Sequence, residues 1–317
     1  MKNYMPLLLS SALVLPVAAH AEGPIDGKVY GKINAAVLST DNKDVSDTYL
    51  ESHASRLGFK GKTAIDSGMS VIYRLEYEIN PTEKNASKAG SSDTTIFKQR
   101  NAIVGLETSA GTIMMGSHDT PMKLAQGKID LFNDLTNGDI KNIVSGENRA
   151  NDIVMYMSPA FNGFAFNAAI TQDEDATTKD DGTSVSVTYK GIKNLYLAAA
   201  VDSEVSKTDA TRLVAQYKFN DLTVGALLNS SEAANTPGAK DESTTVVSAS
   251  YKIDNVKLKA QFASGDEKSK GLEQVAFGID YKLGEKSKVY FYSASLKDDV
   301  IGGADKSVNG LGIEHKF

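Results

Sequence analysis

From Lys28 onward apolar and polar residues alternate with a period of two, the spacing of a strand whose two faces meet different surroundings. Val256, Leu258, Ala260 and Phe262 alternate with Lys257, Lys259 and Gln261. Leu213, Ala215, Tyr217 and Phe219 alternate with Arg212, Val214, Gln216 and Lys218. Val185 to Tyr189, Val275 to Tyr281 and Met69 to Ile79 repeat the rhythm, with Arg74, Glu76 and Glu78 on the polar parity of the last. Ile103 to Leu106 and Ile153 to Met157 are apolar on both parities, so their faces stay open.

The connections between these segments alternate between short and long. Ile65 to Gly68, Glu107 to Gly111, Pro159 to Gly163, Gly191 to Asn194, Asn220-Asp221, Asp254-Asn255 and Gly284 to Ser287 are short and rich in turn residues. Ser39 to His53, Asn80 to Thr95, Gln172 to Gly182, Ser203 to Asp209, Ser231 to Glu242, Gly265 to Gly271 and Asp298 to Lys306 are longer. The alternation predicts about sixteen antiparallel strands with both chain ends on the short-turn side. One connection stands apart. Asp119 to Asn148 runs to roughly thirty residues, beyond the length of an ordinary structureless loop, and mixes acids and bases with Leu124, Ile129, Leu131, Phe132, Leu135 and Ile143. Part of it is expected to pack while its charges face water.

Tyr189-Lys190, Tyr217-Lys218, Tyr251-Lys252 and Tyr281-Lys282 each close a strand before a short turn, and Lys316-Phe317 closes the last. These aromatics share the apolar face at one end of the strands. A soluble sandwich has no use for such a ring, whereas amphipathic rings settle at the headgroup level of a membrane. Lysine or arginine turned toward lipid would cost about 2–4 kcal/mol at the midplane, so the polar parity must face an interior. A barrel of about sixteen strands is too wide for side chains to fill, and its lumen holds water. The fold expected is therefore all-β: a transmembrane antiparallel β-barrel narrowed by the long segment folded inside.

The N-terminus sets the compartment. Lys2, the apolar run Met5 to Val17 and the small residues of Ala19-His20-Ala21 read as a signal peptide over residues 1–21, leaving 22–317 as one barrel domain. No later run reaches the ~18 apolar residues of a membrane helix. A net charge of −6 argues against a nucleic-acid partner. The chain has no cysteine, hence neither disulfides nor thiol chemistry. His53, His118 and His315 are scattered and suggest no metal site.

Enzyme motifs do not emerge. Gly31, Gly58 and Gly61 form no phosphate-binding loop, and no Ser/His/Asp set is suggested. Asp173-Glu174-Asp175 and Asp180-Asp181 lack the regular oxygen spacing of a calcium loop, so no cofactor is expected.

Ser55-Arg56-Leu57-Gly58-Phe59-Lys60-Gly61, with Gly68 and the strand to Glu76, resembles the second and third strands of Gram-negative general porins of the neisserial and beta-proteobacterial type. So do Val29-Tyr30-Gly31-Lys32, Arg100 with Val104-Gly105-Leu106, Gly111 to Gly116, Thr120-Pro121, and Arg149 with Asn151, Tyr156, Ser158-Pro159 and Phe161 to Phe164. The likeness concentrates between residues 28 and 164. It implies a homotrimer of sixteen-stranded barrels in the outer membrane, in contact with lipopolysaccharide, passing ions and small hydrophilic solutes. It makes Asp119 to Asn148 the third, inward-folded loop, and Phe317 the terminal signal read by the β-barrel assembly machinery. Gly116-Ser117 departs from the family, which commonly has a basic residue after that glycine, so ion preference does not carry over. From the polar parity of the early strands, the wall of the constriction is expected to be Lys32, Arg56, Lys60, Arg74 and Arg100, facing the loop acids Asp119, Asp130, Asp134 and Asp139. The competing readings are a porin selective for sugars, phosphate or carboxylates, an outer-membrane adhesin or enzyme barrel, and a soluble exported sandwich.

Overall fold

A computed structural model describes residues 26–43, 45–65, 68–82, 97–172, 181–300, 303 and 305–317. The expected signal peptide and the acids Asp173 to Asp175 and Asp180 lie outside the described residues. The strands are β1 (Asp26–Asn42), β2 (Val45–Ser52), β3 (Arg56–Ala64), β4 (Ser70–Ile79), β5 (Phe97–Thr108), β6 (Gly111–Asp119), β7 (Arg149–Met157), β8 (Phe164–Thr171) and β9 (Gly182–Tyr189). They continue as β10 (Leu195–Val205), β11 (Thr208–Phe219), β12 (Leu222–Ala233), β13 (Glu242–Ile253), β14 (Val256–Gly265), β15 (Leu272–Lys282), β16 (Ser287–Lys297) and β17 (Asp305–Lys316).

β2 and β3 are two halves of one wall strand. Both pair with β1, from Asn42↔Val45 to Ala35↔Ser52 and from Lys32↔Arg56 to Asp26↔Lys62. The seventeen runs thus make sixteen staves, each antiparallel to its neighbours, and β1 pairs with β17 to close the barrel. At the break Ala54 takes φ 48°. Ser55 Oγ stands in for the missing rung, donating to Asn34 O at 3.1 Å and accepting from Asn34 N at 3.0 Å. No backbone group of Asn34 is left without a partner, so the ladder absorbs the interruption.

The last stitch is terminal. Phe317 N donates to Gly31 O and Gly31 N donates to Phe317 O, both at 3.2 Å. A Cβ on Gly31 would lie 2.3 Å from the Phe317 ring and 2.6 Å from Arg56 O, so a hydrogen is all this seam admits. Gly31→Leu should therefore cost about 1–3 kcal/mol by overpacking, read as a lower melting temperature of the detergent-solubilised barrel. An unchanged melt would mean that the Phe317 ring moves aside freely.

The wall has the two faces that the alternation predicts. Val29, Leu57, Phe59, Leu213, Tyr217, Tyr251, Phe277 and Tyr281 face outward and exposed. The two ambiguous segments resolve as well. Val104 is 49 % exposed on the outside, while Ile103 (8 %), Met114, Ile153 and Met155 are buried inside and pack with Leu124 of the long loop. These inner residues are apolar because a loop rests on them.

Two expected long loops are corrected. Ser39 to His53 is mostly ladder, paired up to Asn42↔Val45. Ser203 to Asp209 is a two-residue hairpin closed at Val205↔Thr208, with Ser206 and Lys207 at φ 53° and 60°, the backbone of a type I′ turn. Above the membrane a strand is wet on both faces. Its composition then looks like a loop's, although its backbone bonds are those of a sheet.

Candidate functional site

The segment between β6 and β7 enters the barrel. Thr120 caps α1 (Pro121–Ala125), its Oγ1 accepting from Lys123 N at 3.3 Å, with Pro121 at the first helical position. The ends of the loop are pinched together by Thr120 N donating to Asn148 O at 3.1 Å. Gly127 at φ +62° then turns the chain across the lumen.

One side of the loop is seated on β9 to β16. Met122, Ala125, Ile129, Ile140, Ile143 and Val144 are buried against Ala198, Val214, Leu227 and Val246, and Phe132 and Leu135 against Ala276, Tyr292 and Ala294. Burying each large apolar side chain contributes about 1.5–3 kcal/mol. The wall also answers the loop's backbone. Gln261 accepts from Leu131 N at 2.9 Å and donates to Gly138 O at 3.0 Å; Gln274 donates to Asn137 O at 2.8 Å and to Asp139 O at 3.0 Å. Arg212, fully buried, donates to Glu147 at 2.6 Å, Ser145 O at 2.7 Å, Met122 O at 3.2 Å and Asn229 at 2.8 Å. Burial pushes the Glu147 carboxyl up, against the pull of Arg212.

The other side of the loop presents Asp134, with φ 69°, to the opposite wall. Lys32 Nζ and Arg56 Nη2 each donate to its Oδ2 at 3.0 Å. Burial alone would raise the Asp134 carboxyl, but Lys32 and Arg56 outweigh it and hold the group below its ordinary value. Thr136 adds a tie from the tip to Glu51 at 2.8 Å.

The remaining expected residues divide. Arg100 bonds Glu76 and Glu78, both at 2.8 Å, and shares Glu76 with Arg56, 3.7 Å away, so it stands one link behind the contact. Lys60 lies over the Tyr30 ring at 4.8 Å and, with Arg74, lines a recess nearer the short turns. Asp119 bonds Arg149 at 2.9 Å at the mouth of the loop. Asp139 caps the 3-10 helix Ile140–Asn142 and accepts from Asp134 N at 2.9 Å. Asp130 accepts from the backbone N–H of Phe132 at 2.9 Å and of Ile140 at 3.2 Å; its carboxyl is pushed well up by burial and by Asp139. Asp130 and Asp139 hold the loop's shape, and Asp134 alone of the four acids bonds the basic wall across the lumen.

The loop divides the lumen into two cavities, about 680 Å³ on the long-loop side and about 810 Å³ on the short-turn side. Lys98, Arg149 and Lys141 line the first, and Lys257, Lys259 and Lys288 the second, beyond those expected. Inward parity was available as a signal for all but Lys141, which lies in the loop itself.

The Gram-negative porin family model matches residues 9–300. The major outer membrane protein P.IB of Neisseria gonorrhoeae is 24 % identical, over 98 % of this chain and 99 % of that protein. Outer membrane porin protein 32 of Delftia acidovorans is 25 % identical, over 83 % and 78 %. The solved anion-selective porin from Comamonas acidovorans superposes with a TM-score of 0.78 at 22 % identity, covering 92 % of this chain and all of that one. A closed sixteen-stave wall, apolar outside and lined with charge inside, and a family match over most of its length lead to one conclusion: this chain belongs to the Gram-negative porins, the diffusion channels of the outer membrane.

Proposed function

We propose that the chain is a general diffusion porin without enzymatic activity, passing ions and small hydrophilic solutes through the gap between the inserted loop and the wall of β1 and β3 to β7. The observation that carries this reading is Asp134 held across the lumen by Lys32 and Arg56 at 3.0 Å. Arg100 backs this contact through Glu76, Lys60 and Arg74 add positive charge to the same wall nearer the short turns, and Asp119, Asp130 and Asp139 supply the acids that place and frame the loop. Size exclusion and a transverse field together set what enters. A sugar-selective porin is the weaker reading: Phe132, the loop's single aromatic, is fully buried and offers no stacking surface.

Residues 1–21 are read as a cleaved signal peptide and 22–317 as one barrel domain. The barrel is read as a homotrimer among lipopolysaccharide, delivered by the assembly machinery through Phe317, whose ring and backbone lie at the seam. Migration of an unboiled sample relative to a boiled one tests the trimer.

Planar-bilayer recording across a salt gradient tests the filter. Replacing Arg56 and Arg74 together by glutamine should move the reversal potential toward cation preference. Asp134→Asn should move it toward anions, because two cations then face no carboxylate. Since the Asp134 carboxyl is held low, the parent should show that anion-ward shift only as pH falls below the ordinary carboxylate range. A reversal potential indifferent to all three substitutions would take Arg56 and Asp134 out of the constriction.

A further inference from the structure

The two cavities are not electrically alike. Six basic residues and six carboxylates line the one on the long-loop side, whereas eight basic residues face five carboxylates on the short-turn side. The pairing explains why the excess is not cancelled. Asp280 is shared by Lys259 at 2.9 Å and Lys288 at 3.0 Å, and Glu314 by Lys316 at 3.4 Å and Lys32 at 3.9 Å. Each carboxylate thus serves two lysines. Lys218 and Lys257 stand in no ion pair among the described residues. These lysines project inward: the strand neighbours of Lys218, Lys257, Lys259 and Lys316, namely Tyr217, Leu258 and Phe317, are exposed on the outer face, Lys288 lies over the ring of the buried Tyr290, and Lys32 bonds Asp134 of the loop. Short turns mark the periplasmic end of an outer-membrane barrel. The positive excess therefore lies behind the constriction as seen from outside the cell.

We propose that this periplasmic vestibule is a weak binding site for multivalent oxyanions and gives the channel a direction. The proposal rests on the pore reading above. A concave wall of one sign raises the local concentration of counter-ions by about tenfold or more. A small monovalent anion passes. A polyvalent one spans several lysines at once, is held in front of the gap and obstructs it. With a positive zone in series with a balanced one, anions driven outward from the periplasmic side draw cations into the balanced zone, which cannot leave through the positive one, and conductance rises. The opposite polarity depletes both ions.

The test uses the full chain in planar bilayers with tripolyphosphate as the probe. The protein has no cysteine, so Ser206→Cys in an exposed hairpin, labelled from one compartment by an impermeant maleimide, reports the orientation of each inserted channel. In ~0.01 M salt, where the Debye length is about 30 Å, current should be roughly twofold larger when anions move outward, and the asymmetry should vanish near ~1 M, where that length is about 3 Å. Tripolyphosphate should block from the periplasmic side at a concentration about tenfold lower than from the other side. Lys218→Gln with Lys257→Gln, which breaks no ion pair, should weaken both effects while the barrel's melt stays unchanged. A linear current–voltage curve at low salt, equal block from the two sides, or a double variant behaving as its parent would each overturn the proposal. A chain that conducts at no salt concentration would instead overturn the pore reading itself.

Discussion

Replacing Arg212 by methionine should release the constriction loop, giving a larger and noisier current and a barrel that melts at lower temperature. Arg212 ties both arms of the loop to the wall near its mouth, bonding Met122 O on the descending arm and Ser145 O and Glu147 on the returning arm. Breaking a buried ion pair by removing one partner costs about 3–5 kcal/mol, because the charge left behind is uncompensated. Two carbonyls lose donors as well, and the Asn229 oxygen that accepts from Arg212 loses its partner. The pH dependence identifies the cause. Burial already favours the protonated form of Glu147, so without Arg212 the carboxyl takes a proton readily. The variant's deficit should shrink as the medium is acidified and widen as pH rises. Adding Glu147→Gln should remove that pH dependence and recover part of the melt. A melt and a current equal to the parent's at every pH would show that the apolar seat alone retains the loop.

Deleting Gly127 to Asn142 should raise single-channel conductance more than any point substitution. The deletion removes Asp134 and its bridge to Lys32 and Arg56, and with them Ile129, Phe132, Leu135 and Ile140, which fill the middle of the lumen. The wall closes without the loop, since each stave pairs with its neighbours on both sides. The cost is an exposed apolar patch, Leu227, Val246 and Ala276 among its members, facing water where the loop had covered it. The shortened chain should therefore fold less efficiently yet conduct more once folded. Heat-modifiable migration separates the folded fraction, and an unchanged conductance in that fraction would mean that the loop does not throttle the pore.

The wall could be read from the sequence because its two environments, lipid and water, impose opposite demands on adjacent residues. Tyr217 and Lys218 reveal their faces without any structure. The reading fails where both environments are the same. In the Val45 to Ser52 ribbon both faces are wet, so its strand passes for a loop. At Ile153 and Met155 both faces are apolar, because a loop lies on the inner one. The site was legible to a similar depth. Parity marks which side chains turn inward but not how far along the axis they sit, so Lys60 and Arg74 fall in with Lys32 and Arg56 although they lie nearer the short turns. The loop carries no periodicity at all. Nothing in its spacing separates Asp134, which bonds the opposite wall, from Asp130 and Asp139, which accept from the loop's own backbone. That distinction is made by the φ of 69° at Asp134 and the short 3-10 turn behind Asp139.

The reciprocal bonds between Gly31 and Phe317 make the first stave and the final residue of the chain partners. The ladder they extend runs from Lys32↔Lys316 to Asn42↔Lys306, and a wall lacking that whole strand would keep two raw sheet margins, each a row of unsatisfied amides that hydrocarbon will not accept. A wall shut in this way offers no free margin to a stray strand of another chain, and so cannot widen by recruiting one.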